Sequence, residues 1–223
     1  MKTLVSWSSG KDSAWMVHLL RHTPGVELAG LLTTVNASAG RVAMHAVRES
    51  LLRRQAEALR LPLKIVPIPS PCPNDVYERI MTVVVRDAVA EGFTHVAFGD
   101  LFLEDIRSYR ERQLAGTGLT PLFPLFGSDT TALAQAMIAA GLRARLTCVD
   151  PRVVDRRFAG REFDSALLEE LPAAVDPCGE RGEFHSFAWD GPMFDRPIRV
   201  TAGEVVERDG FVFADLVLDD SSS

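Results

Sequence analysis

The chain has 223 residues, 47% hydrophobic and 24% charged, with a formal net charge of −6; this is the balance of a globular chain with one sizeable core, and it argues against disorder. No block of like charges stands out, which argues against a broad nucleic-acid footprint, and Cys72, Cys148 and Cys178 lie far apart with no CxxC pair, which argues against a disulfide framework or zinc site. No run approaches ~18 uninterrupted apolar residues and no apolar leader precedes the first strand, so a cytoplasmic protein with no membrane partner is expected.

In chain order, Thr3-Leu4-Val5 predicts a strand, Ser8 to Ser13 a tight loop, and Ala14 to Leu20 a helix packed on a sheet. Glu27 to Val35 reads as a buried strand, Ala43 to Leu59 as an amphipathic helix, and Leu63 to Ile68 as a further strand. Asn74 or Asp75 is placed to cap a helix running to Ala90. Thr94 to Gly99 is the next strand, Leu103 to Leu114 a helix, Leu122 to Leu125 a short extended segment, and Thr131 to Ala140 a helix capped by Ser128 or Asp129. Leu142 to Val149 returns as a strand. This alternation predicts an α/β fold, a five- or six-stranded parallel sheet with helices on both faces, over residues 1–150. Residues 151–218 read as a smaller C-terminal region: a helix over Phe163 to Leu171, a long loop from Pro172 to Gly191, strands at Ile198 to Thr201 and Glu204 to Glu207, then Phe211 to Val217 after an Asp209-Gly210 hairpin turn. Residues 219–223 read as a disordered polar tail.

Three segments carry chemistry. In the first, Ser8, Ser9, Gly10, Lys11, Asp12 and Ser13 join a strand to a helix; small residues let backbone N–H groups approach an anion, the helix N-terminus favours negative charge, and Lys11 adds a cation. The site suits a phosphate. It is not a Walker A loop, because Val5 stands where the first glycine belongs and Asp12 follows the lysine. In the second, Gly99, Asp100 and Arg107 follow a strand whose carboxyl end shares an edge with that loop, and Arg107 is suited to hold a carboxylate or phosphate; acids serving only the helix dipole are the alternative. In the third, Asp176 to Phe187 gathers Cys178, Glu180, Glu183 and His185 in one loop, offering acid, base or metal-ligand chemistry against a plain polar loop, with Cys178 as nucleophile the weakest assignment. Thr33 and Thr34 end the second strand, where an adenine or ribose would lie. His45 reads as structural or exposed, and His18, His22 and His95 have no metal-ligand spacing.

Ser8 to Ser13 resembles the Ser-Gly-Gly-Lys-Asp-Ser loop of the N-type ATP pyrophosphatases, or PP-loop enzymes, with Ser9 in place of the first glycine. Together with Gly99-Asp100 continuing to Arg107, and Cys178-Gly179-Glu180 with Gly182-Glu183, it resembles the diphthine–ammonia ligase family in its stand-alone single-domain branch. That resemblance implies an adenine nucleotide alpha hydrolase-like, Rossmann-like fold that binds ATP with Mg2+. The implied reaction adenylates a substrate carboxylate, releases pyrophosphate and transfers ammonia or an amine to form an amide. By motif, Ser8, Ser9, Gly10, Lys11, Asp12, Ser13, Thr33, Thr34 and Gly99 bind ATP; Asp100, Arg107, Glu180, Glu183 and His185 face the substrate; and Lys11, Asp12, Glu180 and Glu183 serve catalysis. The implied acceptor is diphthine on elongation factor 2, and a homodimer is one expectation. One departure bears on the acceptor: Gly182-Glu183-Phe184-His185-Ser186 stands where the family has Gly-Glu-Tyr-Glu-Thr. A different acceptor, reached by small-molecule amidation or thiolation, or a non-catalytic adenine nucleotide sensor, are the alternatives.

Overall fold

The computed structural model describes residues 1–42 and 44–219. Five parallel strands, β1 (Lys2–Ser6), β2 (Glu27–Asn36), β4 (Leu63–Ile68), β5 (His95–Ala97) and β6 (Thr120–Leu122), lie in the order β4-β2-β1-β5-β6. A short β3 (Arg41–Val42) runs antiparallel to the end of β2 and completes a six-stranded sheet. The chain leaves β1 towards β2 and β4, then returns to β1's other side at β5. The crevice between β1 and β5 is therefore the topological switch point, where open α/β sheets bind ligands.

Alternate residues of each strand face opposite layers, as the two-residue period of a strand requires. Leu4, Leu32, Val66 and Val96 pack with Val84 and Ala88 of α3 (Asn74–Ala90) and Leu114 of α4 (Glu104–Leu114). Val5, Leu31, Val35 and Ala97 face α1 (Lys11–Arg21) and α2 (Glu49–Leu59), in a core shared with α5 (Thr130–Ala139), α6 (Ser165–Glu170) and a second sheet.

That second sheet is four-stranded and antiparallel, in the order β8-β7-β10-β9, from β7 (Arg143–Val149), β8 (Phe184–Asp190), β9 (Val200–Arg208) and β10 (Phe211–Leu218). Two expectations change here. The strand from Leu142 to Val149 does not extend the parallel sheet: it pairs with later strands, a choice that hydrophobic periodicity cannot encode. The segment from Pro172 to Gly191 is not all loop, because its last third is β8. The strands expected at Ile198 to Thr201 and Glu204 to Glu207 form one bulged strand, β9. Asp209 and Gly210 both have positive φ, 53° and 80°, as a type I′ hairpin turn needs.

The helix expected from Ala43 begins only at Glu49; Ala43 itself, like residues 220–223 of the expected tail, lies outside the described residues. Asp129 caps α5 by accepting from the Ala132 amide, whereas α3 starts at Asn74 with Pro73 at its cap position and no side-chain cap. No described helix is long and apolar enough to cross a membrane.

Candidate active site

The loop between β1 and α1 is built around one unusual backbone position. Ser9 has φ +69°, so the residue that stands in place of the motif's glycine adopts the left-handed conformation at a cost of about 1 kcal/mol. Neighbouring contacts hold it there. The Ser9 carbonyl accepts from the Ala188 amide of β8 at 2.9 Å and from Gln55 Nε2 at 3.0 Å, and Gln55 also binds Ala188 O at 2.6 Å and accepts from Trp7 Nε1 at 3.1 Å. Gln55 is fully buried on the apolar stripe of α2, between Leu51, Leu52 and Leu59. That lone amide on an otherwise apolar face was the available sequence signal for its role. Gln55→Ala is expected to cost about 2–4 kcal/mol in urea denaturation, because it strands the Trp7 N–H and the Ala188 carbonyl in the core.

The loop then opens onto the start of α1. Ser8 Oγ lies 3.0 Å from Ser13 Oγ, and the Lys11 amide donates to Ser186 Oγ at 3.2 Å. The amides of Asp12 and Ser13 have no acceptor among the described residues, as first-turn donors of a helix do until a capping group or anion meets them. A Cβ on Gly99 would lie 3.4 Å from Ser13 N, so this glycine brings the end of β5 against that turn. A cleft of about 250 Å3 runs from Ser8, Thr33 and Thr34 along the sheet face between α3 and α4, where Tyr77, Tyr109 and Arg110 flank it. Its volume is just under the usual range of ligand pockets, roughly 300–1,000 Å3. Thr34 lines this cleft, while the buried Thr33 hydroxyl is tied to Trp7 O at 2.7 Å.

Lys11 is not a mobile cation. It is 2% exposed, its Nζ binds both Asp12 carboxylate oxygens at 3.0 and 2.9 Å and donates to the Cys178 carbonyl, and it sits over the rings of Phe163 and Phe184. Burial alone would lower its pKa, but the neighbouring Asp12 carboxylate, helped by Cys178 and Asp176, carries it above the ordinary value. Lys11 therefore clamps the first motif to the third.

The third motif is a folded scaffold. Asp176, itself buried, accepts from the amides of Cys178 at 2.9 Å and Glu180 at 3.2 Å and from Thr130 Oγ1 at 2.6 Å. Glu183, also buried, accepts from the amides of Asp176 at 3.0 Å and Arg181 at 2.9 Å. Both oxygens of Glu183 are thus committed to backbone. Glu180 differs: one oxygen accepts from the Leu101 amide at 2.8 Å, which brings it beside the second motif. Burial, with the charges of Asp12 and Asp100 nearby, pushes its pKa up to about 7. Cys178 is buried and its thiol is pushed up to about 12, chiefly by desolvation, which removes it as a nucleophile.

The second motif is only partly as expected. Arg107 turns back to Glu111 of its own helix at 2.9 Å and lies over the rings of Phe123 and Phe126. The guanidinium at the cleft is that of Arg110, whose Nε meets Asp100 Oδ2 at 2.7 Å and whose plane lies 4.4 Å from the Phe98 ring centroid. Sequence reading missed Arg110, because the two arginines are three residues apart and only the turn of the helix decides which faces the sheet edge.

His185 projects from β8 against His45, with ring centroids 4.6 Å apart, and His45 Nδ1 lies 3.0 Å from the Ser186 carbonyl. Burial lowers both pKa values, that of His185 to about 3, so it stays neutral at working pH. A Cβ on Gly10 would lie 2.8 Å from His45 Cε1 and 3.3 Å from Ser186 O, so this glycine lets β8 and His45 close over the loop. Among the described residues, no group of three or more His, Cys, Asp or Glu side chains is arranged to hold a metal ion.

Comparison with known proteins points to one family. The family model described as "Diphthamide synthase C-terminal domain" matches residues 129–215, from the cap of α5 into β10. The diphthine–ammonia ligase of Bos taurus is 28% identical over 174 residues, covering 71% of this chain and 65% of that protein. These matches support membership of the diphthine–ammonia ligase family. Two further diphthine–ammonia ligases extend the comparison: that of Danio rerio is 32% identical over 53% of this chain and 49% of its own length, and that of Schizosaccharomyces pombe 29% identical over 60% and 22%. The match therefore spans less than two thirds of these diphthine–ammonia ligases. A solved structure titled as a predicted subunit of tRNA methyltransferase, from Methanocaldococcus jannaschii, aligns over 66% of this chain and 80% of its own, at 17% identity and a TM-score of 0.43.

Proposed function

We propose that this chain is an ATP-dependent ligase that adenylates a substrate carboxylate and passes the acyl group to ammonia or an amine. The observation that carries the reading is the joining of three separate motifs at one sheet edge: Lys11 of the first binds the Cys178 carbonyl of the third, and Glu180 of the third accepts from Leu101 of the second. The free amides of Asp12 and Ser13, with the hydroxyls of Ser8 and Ser13, suit the phosphates of ATP, and the cleft beside Thr33 and Thr34 suits its adenosine. Mg2+ usually keeps several waters and rests on one or two carboxylates plus substrate phosphates, so the lack of a protein cage among the described residues is compatible with it; Asp12 and Asp100, whose charges act on Glu180, are the carboxylates that would hold it.

In this reading the acceptor carboxylate oxygen attacks the α-phosphorus, the bond to the bridging oxygen breaks, and pyrophosphate leaves with the electron pair. Loop amides meet the charge that develops on the phosphates, as electrostatic catalysis requires. The lone pair of ammonia then attacks the acyl carbon and AMP leaves. Glu180, with a pKa of about 7, is suited to take the amine proton. Lys11, Asp176 and Glu183 hold the loop that presents it.

The test is incubation with magnesium, α-labelled ATP, ammonium and elongation factor 2 carrying diphthine, with AMP separated from ADP. Acceptor-dependent AMP is the expected product. ATP binding without AMP would instead favour another acceptor or a nucleotide sensor; His185-Ser186, in place of the family's Glu-Thr, is the observation behind that second reading.

A further inference from the structure

Strand β9 is the outer edge of the antiparallel sheet, and its only strand partner among the described residues is β10. Every residue from Thr201 to Arg208 is exposed, including Val205 at 54% and Val206 at 43%. Open edge strands of this length template pairing with another strand, and proteins usually blunt them with lysine, proline or a covering loop. β9 contains neither lysine nor proline, and its bulge, where Gly203 and Glu204 oppose Asp215, leaves the stretch from Val205 to Arg208 in regular register.

The occupant is indicated by the sequence of the edge itself. Glu204, Val206 and Arg208 share the face that carries Phe211 and Phe213 on β10, since Val206 lies opposite Phe213 and Arg208 opposite Phe211. Glu204 has no ion pair among the described residues, and Arg208 has only a loose one, 3.8 Å to the adjacent Asp209. Antiparallel self-pairing centred on Glu204 or on Glu207 would oppose identical carboxylates, and centring between Val205 and Val206 would oppose Glu204 to Glu207. Centring on Val206 sets Glu204 against Arg208 of the second copy on both sides of the axis, with the two Val206 side chains in contact between them. Opposite charges directly across an antiparallel pair stabilise it, and a two-fold axis repeats each such contact.

We propose that a second copy of this chain docks edge to edge on β9, about a two-fold axis at Val206, to form one continuous eight-stranded antiparallel sheet. The interface lies away from the candidate active site and stands or falls independently of the catalytic reading.

The test is sedimentation velocity over a concentration series, with circular dichroism confirming that each surface variant is folded. Wild type is expected to reach twice the 24.5 kDa chain mass. Glu204→Arg should raise the dimer dissociation constant about tenfold or more, by turning two attractive pairs into repulsive ones, and Val206→Lys should do the same. The double variant Glu204→Arg/Arg208→Glu, which swaps the charges, should restore the dimer. A wild type that stays monomeric throughout, or a dimer indifferent to Glu204→Arg and Val206→Lys, overturns the proposal.

Discussion

Glu183→Ala is expected to lower the melting temperature by roughly 5–15 °C, whereas Glu180→Gln should leave it almost unchanged at low pH and abolish most of the amide-forming rate. The two glutamates stand three residues apart in one loop, yet their surroundings separate them. Glu183 is buried and accepts from the amides of Asp176 and Arg181. Truncation leaves both donors unpaired, at about 1–3 kcal/mol each, and a domain of this size loses roughly 2–4 °C per kcal/mol. Glu180 accepts from the Leu101 amide, and its pKa rises from 4.5 to about 7 through burial and then the charges of Asp12 and Asp100.

The sign of the pH effect follows. Below pH 4.5 Glu180 is neutral in both folded and unfolded chains. Between pH 4.5 and about 7 the unfolded chain loses this proton while the folded chain keeps it, so Glu180 makes stability fall as pH rises across that window. Glu180→Gln should flatten that decline, which thermal denaturation from pH 4 to 8 reads directly. If Glu183→Ala instead keeps its melting temperature and loses only rate, Glu183 belongs to the chemistry and the scaffold assignment is wrong.

Gly179→Ala should be the more damaging of two glycine changes in the same loop. Both Gly179 and Gly182 have positive φ, 72° and 89°, so alanine costs about 1 kcal/mol in backbone strain at either. At Gly182 the added methyl meets nothing within 4 Å; at Gly179 it falls 2.8 Å from the Phe184 carbonyl and 3.1 Å from the Phe184 ring. Overpacking adds about 1–3 kcal/mol, and the backbone oxygen cannot move without shifting β8. Gly179→Ala is therefore expected to lose about 2–4 kcal/mol and Gly182→Ala about 1 kcal/mol in denaturant unfolding. Equal losses would mean that the loop relaxes freely and does not fix Glu180.

The parallel sheet was legible because each βα unit announces itself within a few residues: Thr3-Leu4-Val5 before the small-residue loop, and Asp129 capping α5. Ser9 stands where the motif has glycine, and its backbone there is left-handed. What stayed hidden depends on tertiary partners. The pairing of β7 is set by strands that come later in the chain, and β8 is masked by His185 and Ser186, polar residues that belong where the strand faces the loop from Ser8 to Ser13. Arg110 replaces Arg107 at the cleft through helix rotation alone, and Gln55 acts across distances of 46 and 133 residues in sequence. Lys11, expected in the loop, is the first residue of α1, and its partner, the Cys178 carbonyl, is a backbone atom that no side-chain pattern reveals.

The central claim is that an acceptor carboxylate attacks the α-phosphorus of ATP held at Ser8 to Ser13, and oxygen transfer tests it most directly. With an acceptor whose carboxylate carries heavy oxygen, mass spectrometry of the nucleotide product should find one heavy oxygen in AMP, with pyrophosphate released in equal amount. AMP without heavy oxygen, or ADP as the product, would contradict adenylation.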